Sequence, residues 1–218
     1  KYFGSLLGDH FTTVTEGRHL HGNFNAHQKK CLFLLGDEAV WGGDKRAEAK
    51  LKEMITEPTT ICEFKGKDSF QIKSFIRLML QTNSEWAAPV SLTDRRYFVL
   101  DVSEMRLNDH VFFKEVENEK KNGGAEALLN VLQQFDLSDF EVREFPDTPA
   151  RQEQKLLSMQ PLEEWWYSLL NNADTIIHDQ VLKIDEINIV QKSHLLENFN
   201  QHAKEHNYKH RAWSAQRF

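Results

Sequence analysis

Two carboxylates, Asp37 and Glu38, stand side by side directly after the apolar run Leu34-Leu35-Gly36. If that run is a strand, the pair sits at its carboxyl end, where open α/β sheets bind their ligands. An aspartate there can hold magnesium through oxygen, and a glutamate beside it can polarise a water. Such a pair suits a metal–nucleotide with an attacking water to line up. A solvated turn after a strand would carry the same two residues. Asn83 closes a second mostly apolar run, Phe75 to Gln81. Its amide can hold a water or a γ-phosphate, or bond its own turn. Asp94-Arg95-Arg96 follows. An arginine at a subunit edge can reach a neighbour's nucleotide and stabilise the charge that develops in phosphoryl transfer. One bridged to Asp94 would be an ordinary surface pair. Lys65 and Lys67 flank Gly66; over residues 61–77 four bases (with Lys73 and Arg77) meet two acids (Glu63, Asp68), a local +2 in a chain of net charge −6. A protruding basic tip suits contact with a phosphate backbone without reading bases. A solvated hairpin turn is the alternative.

These residues need elements to position them. Residues 1–8 read as the end of a helix, and Phe11 to Thr15 as a short strand. Cys31 to Leu35 is a compact apolar run between Lys29-Lys30 and Gly36, the pattern of a strand buried on both faces of a parallel sheet. Asp44 is placed to cap a helix that runs to about Ile55, and Pro58 ends it. Thr59 to Phe64 and Ser69 to Lys73 read as hairpin arms around Lys65-Gly66-Lys67-Asp68. Phe75 to Gln81 and Tyr97 to Val102 read as further strands. Helices are expected over Asn108 to Lys121, Gly124 to Phe135 and 150–171, with Pro146 and Pro149 marking a linker. A short strand-like stretch and a helix near 190–206 follow.

The composition removes several classes. With 218 residues, 40% hydrophobic and 28% charged, the chain can bury a core and is not disordered throughout. A pI near 5.9 excludes holding nucleic acid by bulk positive charge, though not by a local basic groove. The run Cys31 to Leu35 is far too short to span a membrane. Two cysteines, Cys31 and Cys62, both read into strands, exclude a disulfide scaffold and a cysteine-rich zinc site, and suit a reducing compartment. Lys1 in place of Met and an aromatic at Phe218 make the chain read as a fragment of something longer, without a signal peptide.

Taken together the motifs resemble the superfamily 3 helicases, viral and plasmid ATPases of the AAA+ type. Within them the likeness is to the helicase part of phage and plasmid primase-helicases, phage primase-polymerases included. It rests on Leu34 to Lys45, Ile55-Thr56-Glu57-Pro58, Leu80-Gln81-Thr82-Asn83 and Asp94 to Leu100. It continues through Gly123 to Leu129 and Gln154-Lys155-Leu156-Leu157, is close over roughly 20–170, and is thin beyond. The resemblance implies that Asp37 and Glu38 are the Walker B acids, Asp37 toward Mg2+ and the bound ATP, Glu38 toward the water. It implies that Asn83 senses the γ-phosphate and that Arg95 or Arg96 is an arginine finger acting in trans. It places Lys65 and Lys67 on a DNA-contacting hairpin. One departure stands out: no G-x-x-x-x-G-K-[ST] loop occurs in these residues. The family carries it upstream, followed by a helix whose tail Lys1 to Leu7 resembles, so the loop is expected in the parent protein and the fragment alone should hold nucleotide poorly.

The reading is therefore a P-loop ATPase core over 1–105 lacking its first strand and phosphate loop, a helical subdomain over 106–172, and a C-terminal module over 173–218. That last module has the rhythm of an incomplete winged helix or, equally, of a helical docking domain. The implied function is ATP-dependent unwinding or translocation of single-stranded or forked DNA during phage or plasmid replication. The implied setting is a homohexamer in the bacterial cytoplasm, joined to a primase or polymerase domain of the same parent chain, with no membrane. A rival reading is a non-catalytic DNA-binding or assembly module with an inherited, inactive signature. A third is a metal-dependent hydrolase using Asp37, Glu38 and nearby histidines. His202, His206 and His210 recur every four residues and would share a helix face, a solvated or phosphate-facing edge more readily than a zinc site. His19, His21 and His27 show no ligand-like order. Trp165-Trp166-Tyr167 reads as core rather than as a base-stacking surface.

Overall fold

The computed structural model describes all residues except 23, 40–44, 143, 172–174, 178–179, 183–189, 207 and 209–218, and only the backbone of 45, 46, 175, 176 and 180–182. The expected cap Asp44 and the third histidine, His210, lie outside the described residues.

The chain forms two compact units, Lys1–Lys155 and Leu156–Phe218. In the first, helix α1 (Tyr2–Ser5) leads into strand β1 (Phe11–Val14), and α2 (Gly17–His21) into β2 (Phe33–Asp37). Helix α3 (Lys45–Thr56), the strand pair β3 (Thr59–Cys62) and β4 (Phe70–Lys73), and β5 (Arg77–Gln81) follow. Helices α4 (His110–Glu119) and α5 (Ala125–Gln134) meet at a kink where Gly123 takes φ 94°, and α6 (Pro149–Leu157) comes after them. The second unit holds α7 (Pro161–Asn171), the strand pair β6 (Thr175–Ile177) and β7 (Gln180–Leu182), and α8 (Lys192–Glu205).

The fold is mixed α/β around a parallel sheet in the order β1-β2-β5. Its register pairs Thr12 with Leu34 and Leu34 with Leu78, and Phe11 with Phe33 and Phe33 with Arg77. Successive side chains point to opposite faces. Val14, Leu34, Leu78 and Leu80 therefore share one face, where Leu20 of α2 and Leu51 and Met54 of α3 pack on them. The spacing of Ala47, Leu51 and Met54 on α3 is the apolar stripe of a helix laid on a sheet. The opposite face carries Phe11 and Phe33, and α1 covers it there. Phe3 meets Phe33 edge-on at 5.3 Å, and Gly4 lies so close to the Phe11 ring that a Cβ would stand 2.4 Å from it.

Three expectations are corrected. Tyr97–Val102 joins no strand: its apolar alternation is present, yet no backbone among the described residues supplies a ladder. Cys31 lies just before β2 rather than in it. The helix read over 150–171 is two helices, because Pro161 cannot continue a preceding helix and takes the first position of its own. Trp165 of that cluster is core, on Phe199 of α8 at 5.5 Å, while Trp166 and Tyr167 are exposed.

Candidate functional site

The carboxylates lie where the sequence reading placed them, at the carboxyl end of the central strand. Asp37 is in register with Gln81 on β5, whose side-chain amide donates to its Oδ1 at 2.7 Å. Lys1 Nζ forms an ion pair with Oδ2 at 2.6 Å. The ammonium and the amide together hold the Asp37 carboxyl below its usual range.

Glu38 leaves the strand with φ 56°, the left-handed region that side chains other than glycine seldom enter. Such a conformation costs about 1–3 kcal/mol and persists only where its surroundings enforce it. The partners at the end of β5 provide that. The Glu38 N–H donates to the Gln81 carbonyl at 3.0 Å, the Thr82 hydroxyl donates to Oε2 at 2.6 Å, and the Asn83 N–H donates to Oε1 at 2.7 Å. The Thr82 hydroxyl accepts in turn from the Ser84 N–H at 3.0 Å, which fixes its direction. Gly36 lets the strands approach here, since a Cβ would stand 2.7 Å from Leu80 Cδ2. The structure thus brings Asp37, Glu38 and Asn83 together and adds Thr82 and Gln81, which the sequence reading passed over. The signal for Thr82 was its place one residue beyond an apolar run, opposite the acidic pair.

The two arginines separate. Arg96 pairs with Asp94: its guanidinium reaches Oδ2 at 2.9 Å and its backbone N–H reaches Oδ1 at 2.7 Å. Asp94 is buried, and its carbonyl accepts a hydrogen bond from Arg151 of α6. Arg95 is exposed and has no hydrogen bond or ion pair among the described residues. Gln154 of α6 secures the loop that leads to them. Its Oε1 accepts from the Ala87 N–H at 2.7 Å, and its Nε2 donates to the Glu85 carbonyl at 2.6 Å. The phenol of Tyr97 is buried beside Asp94, and burial pushes its pKa up. Neither arginine bonds to Asp37 or Glu38 within the chain.

Lys65 and Lys67 are exposed at the tip of the β3–β4 hairpin, with Gly66 at φ 75° in the turn. Asn25 anchors that hairpin. This buried side chain donates to the Ile61 carbonyl at 2.7 Å and accepts from the Glu63 N–H at 2.8 Å. Phe64 and Phe70 stack at 5.9 Å below the tip, with the Lys67 ammonium 5.8 Å from the Phe64 ring. Among the described residues no group of three or more His, Cys, Asp or Glu side chains could hold a metal. The rings of His202, on α8, and His206, the residue just past its end, stack at 4.0 Å, but without further ligands among the described residues.

A family of unknown function, DUF5906, matches residues 1–96. No curated protein matches the chain by sequence. Among solved structures the chain is similar to the apo structure of the NrS-1 C-terminal region (305-718), with TM-score 0.64 and 19% identity over 77% of this chain and 42% of that one. An A form of the same region gives TM-score 0.60 and 18% identity over 76% of this chain and 43% of that one. This chain thus spans less than half the length of those neighbours. Likeness at that identity is likeness of fold. Among the described residues no helix is long and apolar enough to cross a membrane.

Proposed function

We propose that this chain is part of the ATP-dependent helicase or translocase region of a phage- or plasmid-type replication protein, acting on single-stranded or forked DNA as a ring of like subunits, joined to a primase or polymerase domain of the same chain. One observation carries the reading: a carboxylate pair at the carboxyl end of the central parallel strand, its glutamate held by the end of the adjacent strand. The likeness of fold to the NrS-1 C-terminal region is compatible with it. So is the exposed basic hairpin tip.

The donor set fits a magnesium–nucleotide. It is all oxygen, as a hard cation requires, and the Lys1 ammonium on Asp37 is a stand-in for positive charge at that position. When bound, magnesium and ATP supply the phosphoanhydride and the cation that neutralises its phosphates. Asp37 is the residue to hold the cation. Glu38 is the base for a water, aimed by Thr82 and the Asn83 N–H. The Asn83 side-chain amide, which has no partner among the described residues, can reach a terminal phosphate. Arg95, unpaired among the described residues and exposed, is the better finger for a neighbouring subunit's site, because Arg96 is already committed to Asp94.

The test is Glu38→Gln in the parent polypeptide. It keeps the side chain's shape and removes the base, so nucleotide binding should persist while hydrolysis falls by about 10²–10⁴. Turnover within a few-fold of wild type would remove Glu38 as the base, whereas intact DNA binding with no ATPase turnover in the wild-type parent polypeptide would favour the non-catalytic DNA-binding or assembly module.

A further inference from the structure

At the amino end of the parallel sheet, opposite the end that carries Asp37, three lysines converge on one cleft. β1, β2 and β5 run parallel, so the residues that precede them gather there. The cleft has a volume of about 210 Å³. Lys29 and Lys30 line it from before β2, Thr60 from β3, Lys73 and Ser74 from the end of β4, and Phe75 from the approach to β5. Among the described residues no carboxylate lines it, in a chain with more acids than bases. The three lysines are exposed, and none forms an ion pair among the described residues. Ammonium groups around one cleft without a carboxylate repel one another, and an anion between them removes that cost.

Hydrogen bonds tie the walls of the cleft together. The Leu32 N–H donates to the His10 carbonyl at 2.8 Å, the Arg77 N–H to the Leu32 carbonyl at 2.7 Å, and the Ser74 N–H to the Pro58 carbonyl at 2.8 Å. His10 Nδ1 donates to the Lys30 carbonyl at 2.8 Å, which fixes the backbone that carries Lys30.

Aromatic rings alternate with these cations. Along residues 64–75 the order is Phe64, Lys65, Lys67, Phe70, Lys73, Phe75. Phe75 is 60% exposed and Phe70 41%. Lys29 joins the rings to the cleft: it lines the cleft, and its Nζ lies 5.2 Å from the centre of the Phe70 ring and 6.0 Å from that of Phe64. A positive groove that follows the backbone, with rings on which bases stack, is how proteins hold single strands regardless of sequence. The size of the cleft selects the group that enters it. Sites for whole small molecules run to about 300–1,000 Å³. This smaller cleft suits a single phosphodiester, and the rings beside it suit the neighbouring bases.

We propose that the amino end of the sheet is a second subsite for single-stranded DNA, in which Lys29, Lys30 and Lys73 hold a backbone phosphate and flanking bases stack on Phe75 and Phe70. The proposal rests on the reading of the chain as one that acts on single-stranded DNA, and it extends the contact from the hairpin tip to the base of β4. The tip supplies charge alone. The cleft adds a stacking surface, so it tells a strand with bases from one without them. Neither phosphate contacts nor ring faces read sequence, so the subsite grips any stretch of strand.

Titrations of the parent polypeptide with labelled oligo-dT, and with a wholly abasic oligomer of equal length, test it. Lys30→Ala with Lys73→Ala should weaken binding of both oligomers and flatten the salt dependence by about 0.7 for each phosphate no longer neutralised. Phe75→Ala should weaken oligo-dT binding by about 5- to 150-fold, the worth of one stacked base, and leave the abasic oligomer nearly unchanged. Phe75→Leu keeps the apolar bulk and removes the ring, and should behave as Phe75→Ala does. Unchanged oligo-dT affinity in the lysine variant, or a Phe75→Ala loss shared equally by the abasic oligomer, overturns the proposal. If Lys65→Ala with Lys67→Ala weakens binding in that case, the reading of the chain as one that acts on DNA stands without the second subsite. A wild-type polypeptide that binds neither oligomer overturns both. At matched ionic strength inorganic phosphate should not displace oligo-dT. Displacement that the lysine variant abolishes would make the cleft a site for free phosphate, and overturns the proposal as well.

Discussion

Replacing each arginine of the Asp94-Arg95-Arg96 turn separates a packing role from a functional one. The Asp94 side chain is 1% exposed and that of Arg96 is 37% exposed. Arg96→Ala removes the guanidinium from Asp94 Oδ2 but keeps the backbone N–H on Oδ1. Breaking a fully buried pair from one side costs about 3–5 kcal/mol, and an exposed pair is worth about 0–1 kcal/mol. With one partner buried, the other over a third exposed and one hydrogen bond retained, the loss should be about 2 kcal/mol. A unit of this size shifts by about 2–4 °C per kcal/mol, so its unfolding midpoint should fall by about 4–8 °C. Arg95 has no such partner among the described residues, and Arg95→Ala should stay within about 0.5 kcal/mol. Adding Asp94→Asn to Arg96→Ala should recover part of the loss, because no buried charge is then left unpaired. Calorimetry and urea titration read both quantities. Turnover should respond in the reverse order. In the parent polypeptide Arg95→Ala should lower the ATPase rate by about 10³–10⁵, and mixing it with Glu38→Gln subunits should restore part, since some interfaces then join an intact Glu38 to an intact Arg95. If Arg95→Ala destabilises as much as Arg96→Ala, the assignment of the two side chains is wrong. If mixed rings form and no ratio exceeds the sum of the two variants, the finger does not act in trans.

Three further outcomes follow from the geometry. Lys65→Ala with Lys67→Ala should weaken single-strand binding alike across base compositions and flatten its salt dependence by about 0.7 for each phosphate no longer neutralised; titrations at several salt concentrations read this, and an unchanged slope moves the DNA track off the hairpin. Asn25→Ala leaves the Ile61 carbonyl and the Glu63 N–H without their partner, and should cost about 1–3 kcal/mol, with faster amide exchange concentrated in β3 and β4. In the second unit, burial and the stacked His206 hold the His202 pKa below its ordinary value of about 6.5. The folded state favours neutral His202, so that stability is complete above about pH 6.5 and is lost as pH falls through the folded pKa. Thermal midpoints measured from pH 7.5 down to pH 5 should fall in wild type and fall less in His202→Phe; equal slopes would refute it.

The local elements of this chain were legible in its residues. An apolar run ending in Asp37-Glu38, arms flanking Lys65-Gly66-Lys67, and a parallel-sheet pattern at Leu34-Leu35 all follow from periodicity and turn chemistry, which depend on neighbours in sequence. The α3 stripe and the junction at Gly123 are of the same kind. What tertiary structure decided depends on partners distant in sequence. Tyr97–Val102 has every local mark of a strand and is none, because a strand exists only by pairing and no paired neighbour lies beside it among the described residues. Arg95 and Arg96 are chemically identical side by side. The buried Asp94, fixed from α6 by Arg151, takes one and leaves the other. Thr82 became part of the site only when β5 was laid in register beside β2, and Asn25 became an anchor only when the hairpin folded back over it. Hydrogen bonds spanning some forty residues of sequence leave no periodic trace in it, and those bonds set the geometry of the site.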